Sequence, residues 1–149
     1  MMTMNKLRFA DPYQENRLED YFLLRWKLLR KPWGQPKGTE RDGLEENSLQ
    51  RMLLDDDGNI IACGRLHLNS AVEAQIRYMA VDTGHRGKGI GKMMIQELES
   101  LAKDAGVKTI VLQARENALE FYLACGYIKV KETFLLYNDI QHYLMIKQF

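Results

Sequence analysis

The chain has 149 residues, of which 21 are lysine or arginine and 20 are aspartate or glutamate, so its formal net charge is +1. This balance leaves no overall positive field for a nucleic-acid backbone. The length favours a single domain over residues 1–149, and 46% hydrophobic residues supply a core. No run reaches the roughly 20 apolar residues of a membrane span and no signal peptide is visible, so we expect a cytoplasmic protein that binds neither membrane nor nucleic acid.

The cysteines and histidines do not indicate a metal site. Cys63 and Cys125 lie outside any Cys-x-x-Cys pair, and His67, His85 and His142 are too far apart for a local zinc motif. We therefore predict structural thiols and no metal. His67 and His142 lie on strand-like runs, where each could act as a base with a pKa of about 6.5, although a structural role is the simpler interpretation.

In chain order, the hydrophobic pattern predicts a short strand over 4–9, a helix over 14–30 and then an acidic loop. Two apolar runs, 49–54 and 60–68, flank the Asp-Gly-Asn turn at 57–59 and predict a hairpin. A strand over 72–81, a helix over 89–105, a strand over 109–112, a helix over 118–124 and strands over 127–137 and 140–147 follow. This order, β-α-(α)-β-β-β-α-β-α-β-β, predicts an α+β (mixed α/β) fold around one central sheet.

A glycine-rich turn, Arg86-Gly87-Lys88-Gly89-Ile90-Gly91-Lys92, lies between a predicted strand and a predicted helix. Glycines allow the backbone to approach a ligand, and the free N–H groups and dipole of a helix start favour a phosphate. The spacing fits neither a Walker loop, which needs serine or threonine after Gly91-Lys92, nor a dinucleotide fingerprint, which needs glycine at position 92. It fits Arg-x-x-Gly-x-Gly, and a solvated basic turn is the alternative.

The turn resembles the pyrophosphate motif of the GNAT superfamily of N-acetyltransferases, Gln/Arg-x-x-Gly-x-Gly/Ala, in its usual place after the fourth strand. The segment from Ala118 to Tyr127 is similar to that family's Ala-x-x-Phe-Tyr-x-x-x-Gly-Phe/Tyr pattern. The likeness covers residues 49–130 well, and the N-terminal part loosely resembles the ElaA-like branch. It implies a mostly antiparallel sheet of six to seven strands, flanked by helices, with the fourth and fifth strands splayed around acetyl-CoA.

The resemblance also assigns roles. Tyr122 matches the tyrosine that protonates the departing thiolate. Backbone groups of the fourth strand would pair with the pantetheine arm, and the turn would hold the pyrophosphate. The cofactor-binding candidates are Met79, Ala80, Val81, Arg86, Gly87, Lys88, Gly89, Ile90, Gly91, Lys92 and Asn117.

Two departures from the family pattern concern catalysis. Gln75 occupies the position of the glutamate that several members use as general base, and Glu73, two residues earlier on the same strand face, is the candidate replacement. Arg115 stands where many members have asparagine. Asn117, besides its place among the cofactor candidates, is expected to cap the following helix together with Glu120.

The acceptor side rests on the acidic loop. In the family, the loop after the first helix covers the acceptor pocket, so Trp33, Glu40, Asp42, Glu45 and Glu46 are candidates to line it. Carboxylates there would favour a small cationic amine, whereas a solvated charged loop is the alternative. The expected partner is a small-molecule or peptide amine, with a homodimer left open.

Three classes of function compete at this point. The resemblance implies an N-acetyltransferase that uses acetyl-CoA and a primary amine. A non-catalytic acyl-CoA-binding sensor or regulatory module is the alternative that Gln75 keeps open. A nucleotide-binding protein that uses the glycine-rich turn is the third, which the spacing disfavours.

Overall fold

A computed structural model describes residues 6–149, and all of its strands belong to one sheet. Three α-helices and short 3₁₀ turns accompany the seven strands. The elements are β1 (Arg8–Ala10), α1 (Leu18–Leu29), β2 (Leu49–Leu54), β3 (Ile60–Leu68), β4 (Glu73–Val81), α2 (Ile90–Asp104), β5 (Thr109–Arg115), α3 (Leu119–Ala124), β6 (Ile128–Leu136) and β7 (Ile140–Gln148). The first strand is predicted over 4–9, and residues 4 and 5 of that prediction lie outside the described residues.

The sheet has the strand order β1-β2-β3-β4-β5-β7-β6. The β4–β5 pair is parallel, and every other neighbouring pair is antiparallel. The predicted α+β fold with a mostly antiparallel sheet is therefore confirmed. The hairpin of β2 and β3 has the predicted bounds, because Asp55 accepts backbone bonds from Asp57 and Asn59 and fixes the turn between the strands.

Helices cover both faces of the sheet, as the alternation of side chains along β2 shows. Leu53 packs in the cluster that contains the buried face of α2, whereas Met52 and Leu54 pack with Tyr21 and Phe22 of α1. On the α2 face, a Cβ at Gly64 of β3 would lie 2.9 Å from Leu98 Cδ1, so the glycine permits close packing of the helix. This packing fixes the N-terminus of α2 beside the end of β4.

The parallel pair β4–β5 separates halfway along its length. Its pairing runs from Glu73 opposite Thr109 to Ile76 opposite Leu112 and then ends, although both strands continue. Tyr78, just beyond the last pair, has φ +55°, and the β3–β4 register shifts at the same place. Such a conformation is unfavourable for a bulky residue, and it bends the strand away from its neighbour. The predicted splay of the fourth and fifth strands is therefore present.

Candidate active site

The gap between β4 and β5 opens into a groove of about 690 Å³. The second half of β4 forms one wall, and the turn before α2 forms the end. The third side comes from the short helix α3. Since the β4 backbone beyond Ile76 has no strand partner on this side, its amide groups are available to an extended ligand.

The turn at the start of α2 presents a row of free backbone donors. In the part of the chain that the structure describes, none of the N–H groups from Gly87 to Lys92 donates a hydrogen bond to protein, whereas Met93 N binds Gly89 O at 3.1 Å. No side chain caps this helix. Six consecutive free donors, together with the positive end of a 15-residue helix, form a site for a phosphate or pyrophosphate.

Two features of this turn explain its glycines. Gly87 and Gly89 both have φ +78°, a left-handed conformation that side chains disfavour. A Cβ at Gly91 would lie 3.1 Å from the ring of Phe121, so this glycine lets α3 approach the turn. Arg86 Nε donates to the Val81 carbonyl at 3.3 Å and lies along the groove.

A second cavity, of about 360 Å³, joins the groove where the strands separate. Five residues line both spaces, so the two are continuous. They are Leu29, Met79, Arg115, Ala118 and Tyr122. The remaining lining residues of this second space, called here the acceptor cavity, are Arg30, Gln75, Ile76, Arg77, Tyr78, Leu112, Gln113, Phe134, Leu136 and His142.

Tyr122 lies at the junction of the groove and the acceptor cavity. Its ring packs edge-on against Phe121 and Tyr127, with centroids 5.0 and 6.0 Å away. Burial raises the pKa of the Tyr122 phenol to about 12, with Cys125 adding to the shift and Arg115 opposing it. The phenol therefore stays protonated at neutral pH, which is the state that a proton donor requires.

His142 lines the acceptor cavity from β7, directly opposite Arg115 of β5. Its Nδ1 lies 3.0 Å from the Ile140 carbonyl, an acceptor, so Nδ1 carries the proton and Nε2 keeps its lone pair. The ring stacks on Phe134 at 4.3 Å. Burial lowers the pKa of His142, and Arg115, Arg30 and Arg77 lower it further against the opposing bond to Ile140. A neutral imidazole therefore faces the cavity.

The structure brings almost all of the predicted cofactor residues together. All of those candidates line the groove except Lys88, which is exposed. Asn117 lines the groove but lies within a 3₁₀ turn, and no side chain caps α3. The predicted capping box of Asn117 and Glu120 is therefore wrong. Cys125, expected only as a structural thiol, also lines the groove.

The candidate base Glu73 lies at the wrong end of its strand. It pairs with Thr109 where β4 and β5 are still joined, and its carboxylate accepts a bond from Asn69 at 2.9 Å. It lines neither the groove nor the cavity, whereas Gln75 lines the cavity. His67 also stays outside, with Nδ1 3.2 Å from Arg65, and has the structural role expected for it.

The acidic loop does not line the acceptor cavity, because its charges are matched inside the fold. Asp42 forms a two-pronged pair with Arg65 at 2.7 and 2.9 Å and contacts Arg77 at 3.0 Å. Glu45 pairs with Arg25 at 3.0 Å and with Arg65 at 2.9 Å.

The other three acceptor candidates also lie outside the lining. Glu40 is buried, accepts from Gly38 N at 2.8 Å and pairs with Arg41. Glu46 is exposed, and Trp33 packs against Tyr137 with the ring centroids 6.3 Å apart. None of these residues supplies an anionic pocket for an acceptor.

Sequence reasoning did not find the cavity residues Arg30 and Arg77, and it gave His142 only as a possible base for which a structural role was the simpler interpretation. They come from α1, β4 and β7, and only the pairing of β5 with β7 places His142 beside Arg115. No local spacing signals such an assembly. Within residues 6–149 no cluster of histidine, cysteine or acidic residues is arranged to hold a metal ion. None of the helices described is both long and apolar enough to cross a membrane.

Three features occur together in this site: a splayed parallel strand pair, free backbone amides at a helix start, and a protonated phenol between two joined spaces. Together they define the architecture of an acyl-CoA acyltransferase. The family model described as "Acetyltransferase (GNAT) family" matches residues 13–127 of this chain. The chain therefore belongs to the GNAT acetyltransferase family and is an acyltransferase.

A curated relative resembles the chain in sequence, and two solved structures share its fold. The uncharacterized N-acetyltransferase YjcF of Bacillus subtilis (strain 168) is 29% identical over 133 residues, which is 89% of this chain and 94% of the relative. The crystal structure of Escherichia coli ElaA superposes with a TM-score of 0.78 at 20% identity, covering 97% of this chain and 100% of that one. An aminoglycoside 6'-N-acetyltransferase complexed with coenzyme A has a TM-score of 0.72 at 16% identity, covering 95% and 96%.

Proposed function

We propose that the chain is a single-domain N-acetyltransferase that transfers the acetyl group of acetyl-CoA to the primary amine of a small molecule. The observation that carries the proposal is the run of free backbone donors from Gly87 to Lys92 at the end of the splayed strands. The coenzyme A bound to the aminoglycoside acetyltransferase of similar fold supports the choice of donor.

The donor groove accounts for both ends of the cosubstrate. The N–H groups of the turn would bind the pyrophosphate, with Arg86 and Lys92 beside it. The unpaired edge of β4 from Met79 to Val81 would bond to the pantetheine amides. When bound, the cosubstrate supplies a thioester, whose carbonyl carbon accepts the amine and whose sulfur leaves as a thiolate.

Tyr122 at the junction and His142 in the acceptor cavity can transfer the protons of this reaction. As the C–N bond forms and the C–S bond breaks, Tyr122 donates its phenolic proton to the departing sulfur. His142 lines the acceptor cavity, and we propose that its Nε2 takes the proton that the amine loses. Among the described lining residues of that cavity, His142 is the one imidazole or carboxylate, so we propose it as the base in place of Glu73.

A non-catalytic CoA sensor would not require a proton donor and a proton acceptor such as Tyr122 and His142. A protonated phenol and a neutral imidazole line one continuous space. Proton removal from the amine therefore does not depend on a glutamate at position 75, where this chain has glutamine. The predicted preference for a cationic acceptor loses its basis, because Asp42 and Glu45 are paired with arginines and lie outside the cavity.

The first test measures release of the CoA thiol from acetyl-CoA across a panel of primary amines. We expect release that depends on the amine, and binding of CoA esters but not of ATP or NAD by calorimetry. Thiol release that no amine stimulates would contradict the transferase proposal and favour the sensor.

Gly89→Val tests the donor site, and Gly58→Val is its matched control. The two glycines have φ +78° and +79°, and a Cβ added at either would meet no atom within 4 Å, so valine strains both turns alike. Such strain is worth about 1–3 kcal/mol, so the affinity of Gly89→Val for acetyl-CoA should fall about tenfold or more. Gly58→Val, in the β2–β3 turn, should bind acetyl-CoA like the parent. Equal affinities in both variants would place the pyrophosphate elsewhere.

A further inference from the structure

The acceptor cavity is lined by positive charge and, among the described residues, by no carboxylate. Arg30, Arg77 and Arg115 all contribute to its wall. They come from the end of α1, from β4 and from β5, so three separate elements bring guanidinium groups to one space of about 360 Å³. A cavity with such a lining favours an anionic ligand.

Two of these arginines have no acidic partner in the described part of the chain. Arg77 pairs with Asp42 at 3.0 Å and is about half exposed. Arg30 donates only to backbone, from Nε to the Thr39 carbonyl at 3.0 Å and from Nη1 to the Leu29 carbonyl at 3.2 Å. Arg115 donates from Nη2 to the same Leu29 carbonyl at 3.3 Å.

The remaining donors of Arg30 and Arg115 are accessible, and both residues line the cavity. Nη2 of Arg30 and both Nε and Nη1 of Arg115 have no hydrogen-bond partner within residues 6–149, yet they are not among the sealed, unpaired atoms of the fold. The sealed ones are Nε of Arg25 and Nε of Arg65. Accessible, unpaired guanidinium donors on residues that line a cavity are free to bind a ligand there.

The two arginines also repel each other. Burial lowers the pKa of Arg115, and the charge of Arg30 lowers it further. The carbonyl of Leu29, at the negative end of the α1 dipole, offsets this repulsion in part, but it is a single neutral acceptor shared by two cations. A bound anion would supply the missing countercharge.

We infer that Arg30 and Arg115 form a carboxylate-binding subsite, so that the acceptor is a small amine which also carries a carboxylate, as an amino acid does. The inference rests on the proposed function, because the same cavity must hold the amine. A guanidinium presents two parallel donors that match the two oxygens of a carboxylate. Arg115 lies opposite His142 across the β5–β7 pair, so an amine near the anion would lie near the base.

The competing explanation is that both arginines only cap the C-terminus of α1. Capping alone predicts that their loss weakens folding without changing the choice of acceptor. A subsite predicts the reverse, namely a change of acceptor preference in a protein that still folds and still binds acetyl-CoA. The experiment must therefore measure stability, donor binding and acceptor selectivity separately.

The substrate arm compares amino acids with their own carboxamides at fixed acetyl-CoA. The carboxamide keeps the shape of the acid and removes its charge. Its amine is also less basic, which by itself would speed the reaction, so slower reaction of the carboxamide reports loss of binding. We expect kcat/KM to be about 10- to 100-fold higher for the carboxylates, the value of a charge-assisted hydrogen bond.

The protein arm uses Arg30→Gln, because Arg30 does not line the donor groove. KM for the amino acid should rise about 10- to 100-fold, while KM for the carboxamide and Kd for acetyl-CoA stay within about twofold of the parent. Lys27→Gln is the matched control, since it removes one positive charge from the exposed face of the same helix and should change none of these values. If Arg30→Gln fails to fold, Arg30→Lys takes its place, because lysine keeps the charge but loses the two parallel donors, and KM for the amino acid should then rise about tenfold.

The outcomes separate this inference from the proposed function. Transfer to amino acid and carboxamide with equal kcat/KM would overturn the subsite and leave the transferase intact. If no amine reacts, calorimetry of amino acids against the CoA-loaded protein decides: binding that Arg30→Gln abolishes supports the subsite, and absence of binding overturns it. Preference for an aminophosphonate over the carboxylate of equal length would also overturn it, because the subsite would then be one for phosphonate or phosphate.

Discussion

Two pairs of arginines lie at or near the acceptor cavity, to which Tyr78 contributes, and the two pairs differ in what they bind. Arg25 and Arg65, with guanidinium carbons 4.4 and 4.9 Å from the ring centroid, are fully buried and paired with Glu45. Arg30, at 5.6 Å, and Arg115, which lines the cavity beside it, have only carbonyl partners within the described residues. The first pair will be called the structural arginines and the second the cavity arginines.

The comparison shows that one residue type has two different roles in the same region of the fold. For the structural arginines, the fold itself provides the countercharge: Arg65 holds the pKa of Asp42 well below its usual range, and the pKa of Glu45 is lowered by Arg25 and Arg65 although burial opposes this. Their pairing joins the acidic loop to α1 and β3. The cavity arginines lack this countercharge. We therefore expect them to contribute to ligand affinity more than to the free energy of unfolding.

Among these changes, Glu45→Gln should have the largest effect, and we expect this effect on the free energy of unfolding and not on catalysis. The change leaves two buried guanidinium groups without their shared carboxylate, which costs about 3–5 kcal/mol in the free energy of unfolding. Urea unfolding measures it, with Glu46→Gln as the control, because Glu46 is exposed and makes no ion pair among the described residues. A loss as small as that of the control would show that the network is not structural.

Tyr122→Phe should have the largest effect on activity while leaving stability nearly unchanged. Among the described residues its hydroxyl makes no hydrogen bond to the protein, so its removal breaks no hydrogen bond of the fold. Turnover should fall about 10²-fold, the lower range for general acid catalysis, while the affinity for acetyl-CoA stays within a few-fold. Since the raised pKa of about 12 keeps the phenol protonated, the parent should lose no activity up to pH ~10 through this group. Unchanged turnover in Tyr122→Phe would show that Tyr122 has only a packing role.

His142→Asn should reduce kcat/KM about 10- to 100-fold, because water can replace part of a general base. An asparagine amide can keep the bond to the Ile140 carbonyl, so the fold should persist. The imidazole faces Arg115, Arg30 and Arg77, and with burial these charges keep its pKa below the usual value. It is therefore neutral and active at pH 7, and parent activity should decline only as the pH falls below about 6.5. If the loss of activity at low pH persists in His142→Asn, that loss belongs to another titrating group.

The donor half of the site could be predicted from the sequence because its residues are contiguous. Arg86 to Lys92 form one turn, and the strand before it and the helix after it are both evident from periodicity. Tyr122 follows from a second local motif. Each of these signals lies within about ten residues, the range over which spacing fixes geometry.

The acceptor half could not be predicted because long-range pairing builds it. His142 and Arg115 are 27 positions apart in the sequence and meet only through the register of β5 and β7. The acidic loop misled for a related reason: composition shows that Asp42 and Glu45 are charged, but not that Arg65 of a later strand neutralises both. The capping box failed because Asn117 lies within a 3₁₀ turn, so that Ala118, which has no side-chain acceptor, occupies the N-cap position of α3.

Arg115→Gln should have the smallest effect on stability, and it is the most direct test of the comparison. The change removes one hydrogen bond of 3.3 Å to the Leu29 carbonyl and also removes the repulsion from Arg30. A single such bond contributes about 0.5–1.5 kcal/mol, and the relief of repulsion acts in the opposite direction, so the free energy of unfolding should change by about 1 kcal/mol or less. Urea unfolding of Arg115→Gln beside Glu45→Gln measures the contrast under one set of conditions. A loss for Arg115→Gln that equals the loss for Glu45→Gln would make the cavity arginines part of the structural frame. A near-neutral result means that the fold tolerates this charge without requiring it, as expected for a residue whose partner arrives with the substrate.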